Sequence, residues 1–323
     1  MPTSLPAPAP EVGADAELTS RAVALVDNIE RVVRGRRPAV ELVVCAVLAG
    51  GHALVEDVPG SGKTTLARAV ARSVGGRFQR IQATADLLPS DITGTGVWDP
   101  HRQVFDFVPG PLFAHVVLAD ELNRTTPRTQ SAFLEAMEEG AVTVDGERHP
   151  LPDPFVLVAT QNPVEHHGTY PLPEGQLDRF AVRVRLGGLD AASERLVVRE
   201  QLTRATVDDL APVLDIADLR TLRAGVRAVH VADSVLDHAV ALVRATREDP
   251  RTLLGASSRA AIGLVRCAQA RAVLAGRDYV APEDVRALAV PALAHRLVLT
   301  HGSPRAEDVV ADTVARVPVP MTR

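Results

Sequence analysis

A short glycine-containing loop, DVPGSGKT at residues 57–64, limits the possible folds of this chain more than any other feature. The apolar run Ala53–Val55 before it predicts a buried strand, and residues 65–74 after it have the spacing of a helix. Glycines between a strand and a helix allow a tight turn that other residues adopt only with strain. A strand that passes directly into a helix is typical of strand–helix–strand units, so the loop predicts a parallel sheet covered by helices.

The loop also contains Lys63, the only lysine in a chain with 35 basic residues. A compositional bias against lysine explains the arginines but not this exception. Pyridoxal-phosphate enzymes need a Schiff-base lysine, and protein kinases need a strand lysine remote from their glycine loop. GTPases that read guanine resemble one another in an Asn-Lys-x-Asp loop. The neighbours of Lys63 match none of these settings, so the sequence excludes these classes.

The residue types of the loop suit a bound nucleotide. Backbone N–H groups around Gly60 and Gly62 can surround a phosphate, and the dipole of the following helix favours negative charge there. The compact ammonium of Lys63 suits the β- and γ-phosphates, and the Thr64 hydroxyl suits Mg²⁺. Asp57 stands where the G-x-x-x-x-G-K-[ST] pattern has its first glycine. The predicted nucleotide-binding residues of the loop are Pro59, Gly60, Ser61, Gly62, Lys63, Thr64 and Thr65.

Two later apolar runs end in polar residues that suit phosphate hydrolysis. The run 116–119 is followed by Asp120, which can hold Mg²⁺ through water, and by Glu121, which can activate an attacking water. The run 155–159 is followed by Thr160, Gln161 and Asn162. An amide there can reach the γ-phosphate or the attacking water, although an asparagine before a proline is also a common turn residue.

Patterning divides the chain into three parts. Residues 1–17 are rich in proline and alanine, and we expect a disordered tail. Residues 18–188 predict helices at 18–34 and 38–49, and then strands that alternate with helices, with β-hairpins at 97–107 and 142–149. Residues 189–323 predict helices alone, over about 190–202, 216–229, 231–247, 257–275 and 282–294. The predicted strands lie at 53–55, 78–81, 116–119, 155–159 and 182–184.

Composition and charge indicate an ordinary water-soluble protein. Hydrophobic residues make up 46% of the chain and charged residues 23%, which is enough apolar content for a proper core. The net charge of −5 disfavours attraction to nucleic acid or anionic membranes. The longest apolar run, at 42–51, is too short to cross a bilayer, and no basic residue precedes Arg21 as a signal peptide would require. We expect a cytoplasmic protein, not an integral membrane protein, in which Cys45 and Cys267 are reduced core residues.

Five segments together resemble the MoxR family of AAA+ ATPases. They are KT at 63–64, DELNR at 120–124, ATQNP at 159–163, GTYPLPEGQLDRF at 168–180 and GASSR at 255–259. They occur in the family's order and at fitting separations, and the resemblance extends from about residue 18 to VPVP at 317–320. It implies an α/β AAA+ P-loop core, a parallel sheet flanked by helices with β-hairpin insertions, followed by an all-helical lid domain.

The resemblance also assigns catalytic roles beyond Glu121. Asn162 matches sensor 1, and Arg179 matches the arginine finger, which reaches the nucleotide of a neighbouring subunit. Arg259 matches sensor 2, which contacts the γ-phosphate from the helical domain. An arginine finger accelerates hydrolysis by several orders of magnitude, so supplying it from a neighbour makes hydrolysis depend on assembly.

The implied cofactors are ATP and Mg²⁺, the metal being held by Thr64 and, through water, by Asp120. The implied assembly is a homo-oligomeric ring, a hexamer, that hydrolyses ATP at subunit interfaces to remodel or mature a partner protein. Relatives typically act with an adaptor that carries a von Willebrand factor A domain, and their hairpins are thought to grip a client. The sequence does not identify the client, and we expect no nucleic-acid partner.

Other functions remain open for the same core. A motor related to MCM proteins would bind nucleic acid, which the net acidity disfavours. A third possibility is the ATPase subunit of a magnesium-chelatase-like complex, which belongs to a closely related family. A fourth is a nucleotide switch that binds the nucleotide at the glycine loop but does not hydrolyse it.

Several residues depart from the family pattern or invite another function. Trp98 stands where relatives often have tyrosine, and Arg36 where they often have glutamine. Ser258 replaces a frequent proline at the start of the lid helix, which either Ser257 or Ser258 can still cap. The histidines at 115, 149, 166 and 167 lack the spacing of a zinc site. Residues Trp98, Phe105, Phe107 and Phe113 could stack on nucleic-acid bases, but they are predicted instead to be an apolar hairpin face that packs on the core.

Overall fold

The computed structural model describes residues 14–57, 60–162, 168–188 and 207–320, together with residues 191, 192, 194, 195 and 199. Its helices are α1 (Ala14–Glu30), α2 (Arg37–Leu48), α3 (Lys63–Ser73), α4 (Pro89–Thr93), α5 (Pro127–Glu139), α6 (Glu174–Leu177), α7 (Ile216–Ala228), α8 (Asp233–Glu248), α9 (Ser258–Leu274), α10 (Pro282–Leu293) and α11 (Ala306–Arg316). Its strands are β1 (Ala53–Glu56), β2 (Phe78–Gln82), β3 (Gly94–Asp99), β4 (Val104–Pro109), β5 (Val116–Asp120), β6 (Ala141–Val144), β7 (Glu147–Pro150), β8 (Val156–Gln161), β9 (Val182–Val184), β10 (Thr252–Leu254) and β11 (Val298–Leu299).

A parallel sheet in the order β2-β5-β8-β1-β9 forms the centre of the molecule. Its strands coincide with the runs predicted from the sequence. Leu54 and Leu157 on one face belong to the hydrophobic cluster that includes α5. Val55 and Val158 on the other face belong to the cluster that includes α1, α2 and α3. Because both faces are covered, the inner strands are apolar at almost every position.

Two antiparallel hairpins, β3–β4 and β6–β7, confirm the predicted insertions. In the second, Asp145 and Gly146 have φ angles of 52° and 82°, the positive values that a type I′ turn requires. The ring of Phe107 on β4 stacks on His149 of β7, with centroids 3.7 Å apart. The two hairpins therefore contact each other.

The aromatic residues of the first hairpin do not form a single buried face, so that prediction was wrong in part. Phe107 packs edge-on against Phe113, with centroids 5.4 Å apart. Trp98 and Phe105 also pair, at 5.1 Å, but they are 49% and 71% exposed. These two residues lie opposite each other near the hairpin turn. Neither side chain belongs to the hydrophobic core clusters of the described residues.

The helical part confirms most of its predicted helices and corrects one expectation. Helices α7, α8, α9 and α10 lie where the pattern placed them, and Ser257 caps α9 by accepting a hydrogen bond from the Ala260 N–H at 3.1 Å. Most of the helix predicted at 190–202 lies outside the described residues. The expectation of helices alone was wrong, because β10 and β11 form a short antiparallel ladder. Strands of two or three residues carry too little alternation to be recognised in a sequence.

Helix α1 joins the core to the helical part. It begins at Ala14, earlier than the predicted start at residue 18, and Glu17 in its first turn pairs with Arg21 at 2.7 Å. Arg21 also donates to Asp218 of α7 at 2.6 Å. Residues of α1, α2, α9 and α10 share one hydrophobic cluster. The helical part therefore packs on the core through a continuous apolar interior.

Burial accounts for both cysteines. Cys45 and Cys267 are free and lie in the core, which confirms the expectation of reduced core thiols. Burial raises the pKa of each thiol. Among the helices that the structure describes, none has the length and apolar character needed to cross a membrane.

His52, which immediately precedes β1, holds three elements together. Its Nδ1 accepts a hydrogen bond from the Leu157 N–H of β8 at 3.0 Å, and its Nε2 lies 3.1 Å from the Met137 carbonyl oxygen of α5. A ring that accepts at Nδ1 and donates at Nε2 is neutral. Burial lowers the pKa of His52 from 6.5 to about 4, and burial also lowers the pKa of His295.

These histidines predict that the protein loses stability in mild acid. Below about pH 6.5 the unfolded chain binds protons at both imidazoles while the folded protein does not, so the free energy of unfolding falls as pH drops from 6.5 toward 4. Each such proton contributes a slope of about 1.4 kcal/mol per pH unit. Urea unfolding between pH 7 and pH 5 measures the slope.

Two variants check the assignment. His52→Gln should reduce the slope of the unfolding free energy against pH by the contribution of about one proton. Glutamine keeps a hydrogen-bond donor and an acceptor but does not titrate. His101→Gln, at an exposed position on the first hairpin, should leave the slope unchanged. An equally steep slope in His52→Gln would contradict the prediction.

Candidate active site

The carboxyl ends of four neighbouring strands bring the predicted polar residues to one edge of the sheet. Strand β1 leads into the glycine loop, β5 ends at Asp120, β8 is followed by Asn162, and β2 ends at Gln82. Since these strands are parallel, their carboxyl ends lie side by side. In open α/β sheets this edge is where ligands bind.

The glycine loop has the backbone that the sequence predicted. Gly60 and Gly62 have φ angles of 80° and 94°, which favour glycine. Lys63 begins α3, is 8% exposed, and donates from Nζ to the Asp57 carbonyl oxygen at 2.9 Å. The Asp57 carboxylate accepts a hydrogen bond from the Gly187 N–H at 3.0 Å. The aspartate at the first-glycine position thus ties the loop to the segment after β9.

Arg36 also binds this loop, a contact that the sequence did not predict. Its Nη1 donates to the Ser61 carbonyl oxygen, and desolvation lowers the pKa of its guanidinium. The contact links the α1–α2 connection to the loop. The departure from glutamine at this position was visible in the sequence, but nothing in the pattern indicated where the side chain points.

Asp120 is held rigidly at the end of β5. It is 7% exposed, and its Oδ1 accepts from the Thr160 hydroxyl at 2.7 Å. Its Oδ2 accepts from Nη2 and Nε of Arg80 at 2.6 and 3.2 Å. Both oxygens therefore have fixed directions. Such an arrangement suits the outer-sphere binding of a metal through water better than direct movement onto it.

Glu121 has an unusual backbone. Its φ and ψ angles of 59° and 46° lie in the left-handed region, which a non-glycine residue adopts only when the surroundings hold it there. The Glu121 N–H donates to the Thr160 hydroxyl at 2.8 Å, and Oε2 accepts from Gln82 Nε2 at 3.2 Å. Arg124 Nε lies 3.1 Å from the same oxygen. Thr160 therefore binds both acidic residues and fixes their relative position.

Three polar side chains in this site were missed by sequence reasoning: Arg80, Gln82 and the Thr160 hydroxyl as a bridge. Arg80 and Gln82 are two positions apart on β2, so their side chains lie on the same face of that strand. Two polar residues two positions apart on a predicted strand were the available signal. Arg80 bonds to Asp120 of β5, and Asp120 also bonds to Thr160 of β8. The two residues of each pair are 40 positions apart in sequence.

The loop residues fit a triphosphate with Mg²⁺. Ser61 Oγ is buried and has no hydrogen-bond partner among the described residues. A Cβ atom placed on Gly60 would meet nothing within 4 Å among the described residues, so the space beside this glycine is open. A buried ammonium, the backbone of a glycine loop at a helix N-terminus and two acidic residues are the groups that a nucleotide and Mg²⁺ need.

The remaining predicted residues of this edge lie where the pattern placed them. Thr64 and Thr65 are partly buried in the first turn of α3, directly after Lys63. Asn162 is 6% exposed at the end of β8. Pro59 lies outside the described residues, as do the histidines at 166 and 167. Among the residues that the structure does describe, no group of three His, Cys, Asp or Glu side chains could hold a metal by itself.

Arg179 and Arg259 lie together, but at the opposite edge of the sheet. The Ala181 N–H donates to the His52 carbonyl oxygen at 2.8 Å, which places residues 179–181 beside the amino end of β1. Both arginines bind the carboxylate of Glu138. The sheet therefore separates these two arginines from the glycine loop of the same chain, which follows the carboxyl end of β1.

The sequence matches known families in both of its parts. Residues 52–182 match the "ATPase family associated with various cellular activities (AAA)", and residues 244–318 match an AAA lid domain. The chain is 46% identical to the uncharacterized protein YeaC of Bacillus subtilis, over 92% of this chain and 94% of that protein. It is 38% identical to Chaperone MoxR1 of Mycobacterium tuberculosis, over 89% of this chain and 77% of that protein. Protein MoxR of Methylorubrum extorquens is 32% identical, over 84% and 86%.

Solved structures show the same architecture. The crystal structure of a candidate ATPase from Cytophaga hutchinsonii superimposes with a TM-score of 0.87 at 35% identity and covers 95% of this chain and 97% of that one. An MCM homologue of Methanopyrus kandleri superimposes with a TM-score of 0.56 at 17% identity, which shows the fold alone. Taken with the glycine loop, the acidic pair at the end of β5 and the helical lid, these matches show that the chain belongs to the MoxR family of AAA+ ATPases.

Proposed function

We propose that this protein hydrolyses ATP at the interfaces of a homo-oligomeric ring and uses the reaction to remodel or mature a partner protein. The observation that carries the proposal is the separation of two half-sites within one chain. Lys63, Asp120 and Glu121 lie at the carboxyl edge of the sheet, while Arg179 and Arg259 lie at its amino edge. Apposed subunits would join the two halves.

At the carboxyl edge, the chain's own residues would bind and activate. The N–H groups of residues 60–65 and the Lys63 ammonium would bind the phosphates, and Asn162 would contact the γ-phosphate or the attacking water. Thr64 and Asp120 would hold Mg²⁺, which when bound neutralises charge on the β- and γ-phosphate oxygens. Glu121 would accept a proton from the attacking water, since Gln82 and Arg124 fix its carboxylate and Thr160 fixes its backbone.

At the amino edge, the chain would contribute arginines to the nucleotide site of the neighbouring subunit. Strand β1 has four residues and therefore spans roughly 13 Å, and the glycine loop lies beyond its far end. Arg179, beside the near end of β1, would place its guanidinium against the phosphates of the adjoining subunit. Arg259 lies against the same Glu138 carboxylate, so we assign it to the neighbour's nucleotide as well.

The two hairpins would transmit the conformational change driven by ATP hydrolysis to the partner protein. They contact each other through Phe107 and His149, and the first one exposes Trp98 and Phe105. An exposed aromatic pair suits contact with an apolar segment of a client. Relatives named MoxR at 32% and 38% identity support this function over the chelatase-like and MCM-like alternatives. The hexameric ring and the partner with a von Willebrand factor A domain are proposed on the family resemblance of the sequence motifs alone.

Lys63→Arg should reduce ATP affinity by at least about tenfold although it keeps the charge. The planar guanidinium is wider than an ammonium and cannot enter a loop whose lysine is 8% exposed. Titration with a fluorescent ATP analogue measures the effect. Arg68→Lys, at an exposed position on the same helix, is the matched control and should bind normally. Undiminished binding by Lys63→Arg would refute the argument from loop geometry.

Glu121→Gln should bind ATP normally and hydrolyse it about a hundredfold more slowly or worse, because the amide cannot accept the proton of the attacking water. Nucleotide affinity and steady-state phosphate release are measured on the same preparation. Glu147→Gln, at an exposed position on the second hairpin, is the control and should hydrolyse at the normal rate. Turnover retained by Glu121→Gln would remove Glu121 from the role of base.

Mixed rings test the contribution of Arg179 to its neighbour. Arg179→Ala and Lys63→Ala chains should each be inactive alone, the first for lack of the finger and the second for lack of ATP binding. Mixing them creates interfaces that combine an intact loop with an intact finger, so phosphate release should reappear. Stable mixed rings without any recovery would contradict the assignment across the interface.

A further inference from the structure

Glu138, next to the last residue of α5, is bound by two arginines from different parts of the chain. Its Oε2 accepts from Nε and Nη2 of Arg179 at 2.9 and 2.7 Å. Its Oε1 accepts from Nη2 of Arg259 at 2.5 Å. Arg179 precedes β9 in the core, whereas Arg259 lies in the first turn of α9. One carboxylate thus joins a core arginine to an arginine of the helical part.

The charges explain why this carboxylate is needed. Two guanidinium groups held side by side repel each other. An anion between them attracts both and so offsets that repulsion. The two arginines lower the pKa of Glu138, Arg259 having the larger effect, so the carboxylate is ionised at neutral pH. The cluster keeps a single net positive charge, which an anion can still neutralise.

The contacts fix the arginines without covering them. A guanidinium has five N–H donors. The described hydrogen bonds of Arg179 use three of them, two to Glu138 and one to the Gly175 carbonyl oxygen at 2.6 Å. That of Arg259 uses one. The two side chains are 27% and 50% exposed, so both can still donate to phosphate oxygens of another molecule.

The position of Glu138 excludes a role at the nucleotide of its own chain. The preceding residue, Met137, contacts His52 through its carbonyl oxygen at 3.1 Å, and His52 lies before the amino end of β1. The glycine loop follows the carboxyl end of the same strand. Glu138 therefore belongs to the edge that faces away from the chain's own loop, together with the arginines that it binds.

We propose that Glu138 is a positioning residue that holds Arg179 and Arg259 together as a two-arginine clamp for the phosphates of the neighbouring subunit. The proposal rests on the proposed function, in which these arginines act across an interface. Glu138 contacts neither the nucleotide nor the attacking water. Removal of its charge lowers turnover at the neighbouring site and leaves nucleotide binding by its own loop unchanged.

Mixed rings separate this role from a general structural one. The parent mixture contains Arg179→Ala and Lys63→Ala chains, in which each active interface takes its loop from an Arg179→Ala chain and its clamp from a Lys63→Ala chain. Glu138→Gln is then introduced into one kind of chain or the other. The isosteric amide keeps the shape of the side chain but removes the charge. Both mixtures carry the same substitutions, and they differ only in which chain contains Glu138→Gln.

The two placements should give different rates. Glu138→Gln in the Lys63→Ala chain disturbs the clamp of every active interface, and phosphate release should fall by about tenfold, the size of effect expected when a charge-assisted hydrogen bond is lost. Glu138→Gln in the Arg179→Ala chain disturbs only interfaces that are already inactive, and the rate should match the parent mixture. The apparent KM for ATP should stay the same in both.

The controls make each failure identifiable. Glu139→Gln, at the next position and with a more exposed side chain, should have no effect in either placement. Equal losses in the two placements, or no loss in either, overturn the role of Glu138 while the parent mixture still supports the finger. Absence of activity in the parent mixture overturns the action of Arg179 across the interface and the clamp with it. Thermal midpoints and ring assembly of Glu138→Gln should equal those of the unsubstituted protein, and a loss of either would assign Glu138 to folding instead.

Discussion

Strand β1 lies between β8 and β9 and is parallel to both, and this pairing determines which edge of the sheet the glycine loop and Arg179 occupy. Because the strand leaves the sheet into the glycine loop, Lys63 is placed at the carboxyl edge. Because β9 runs in the same direction, Arg179, which precedes it, is placed at the amino edge. Parallel register therefore places the glycine loop and Arg179 at opposite edges of the sheet, and this separation is what the proposed function across subunit interfaces rests on.

At both edges of the sheet, acidic residues hold arginines in place. Asp120 is bound by Arg80, Glu138 by Arg179 and Arg259, and Asp178 by Arg296. Nearly all basic residues of this chain are arginines, and arginine cannot lose its charge. Where two guanidinium groups approach each other, an acidic partner is therefore needed to offset their repulsion. The same bias makes Lys63 informative, since a wide planar group cannot replace a compact ammonium inside a tight turn.

The sequence predicted what is encoded locally. The strands of the central sheet, the glycines of the loop and the Asp-Gly hairpin turn follow from runs of a few residues, and the structure has them where the pattern placed them; of the two predicted cap residues, it has Ser257. The Thr160 bridge, the Arg80 contact and the Glu138 cluster join residues that are distant in sequence, so no local pattern encodes them. Trp98 and Phe105 show the same limit, because an aromatic residue type does not by itself indicate whether distant core side chains will cover it, and both are exposed.

The contacts around Asp178 join the helical part to the segment of the core that contains Arg179. Ser257, the cap of α9, donates to both carboxylate oxygens of Asp178 at 2.9 Å, and Arg296 Nε lies 3.1 Å from one of them. Arg296 also donates to the carbonyl oxygens of Asp178 and Phe180, and His295 bonds to the latter at 3.0 Å. The side chain of Arg296 is 3% exposed, so these bonds are shielded from water and strong. The helical part therefore contacts the residues on both sides of Arg179, namely Asp178 and Phe180, through Ser257, His295 and Arg296.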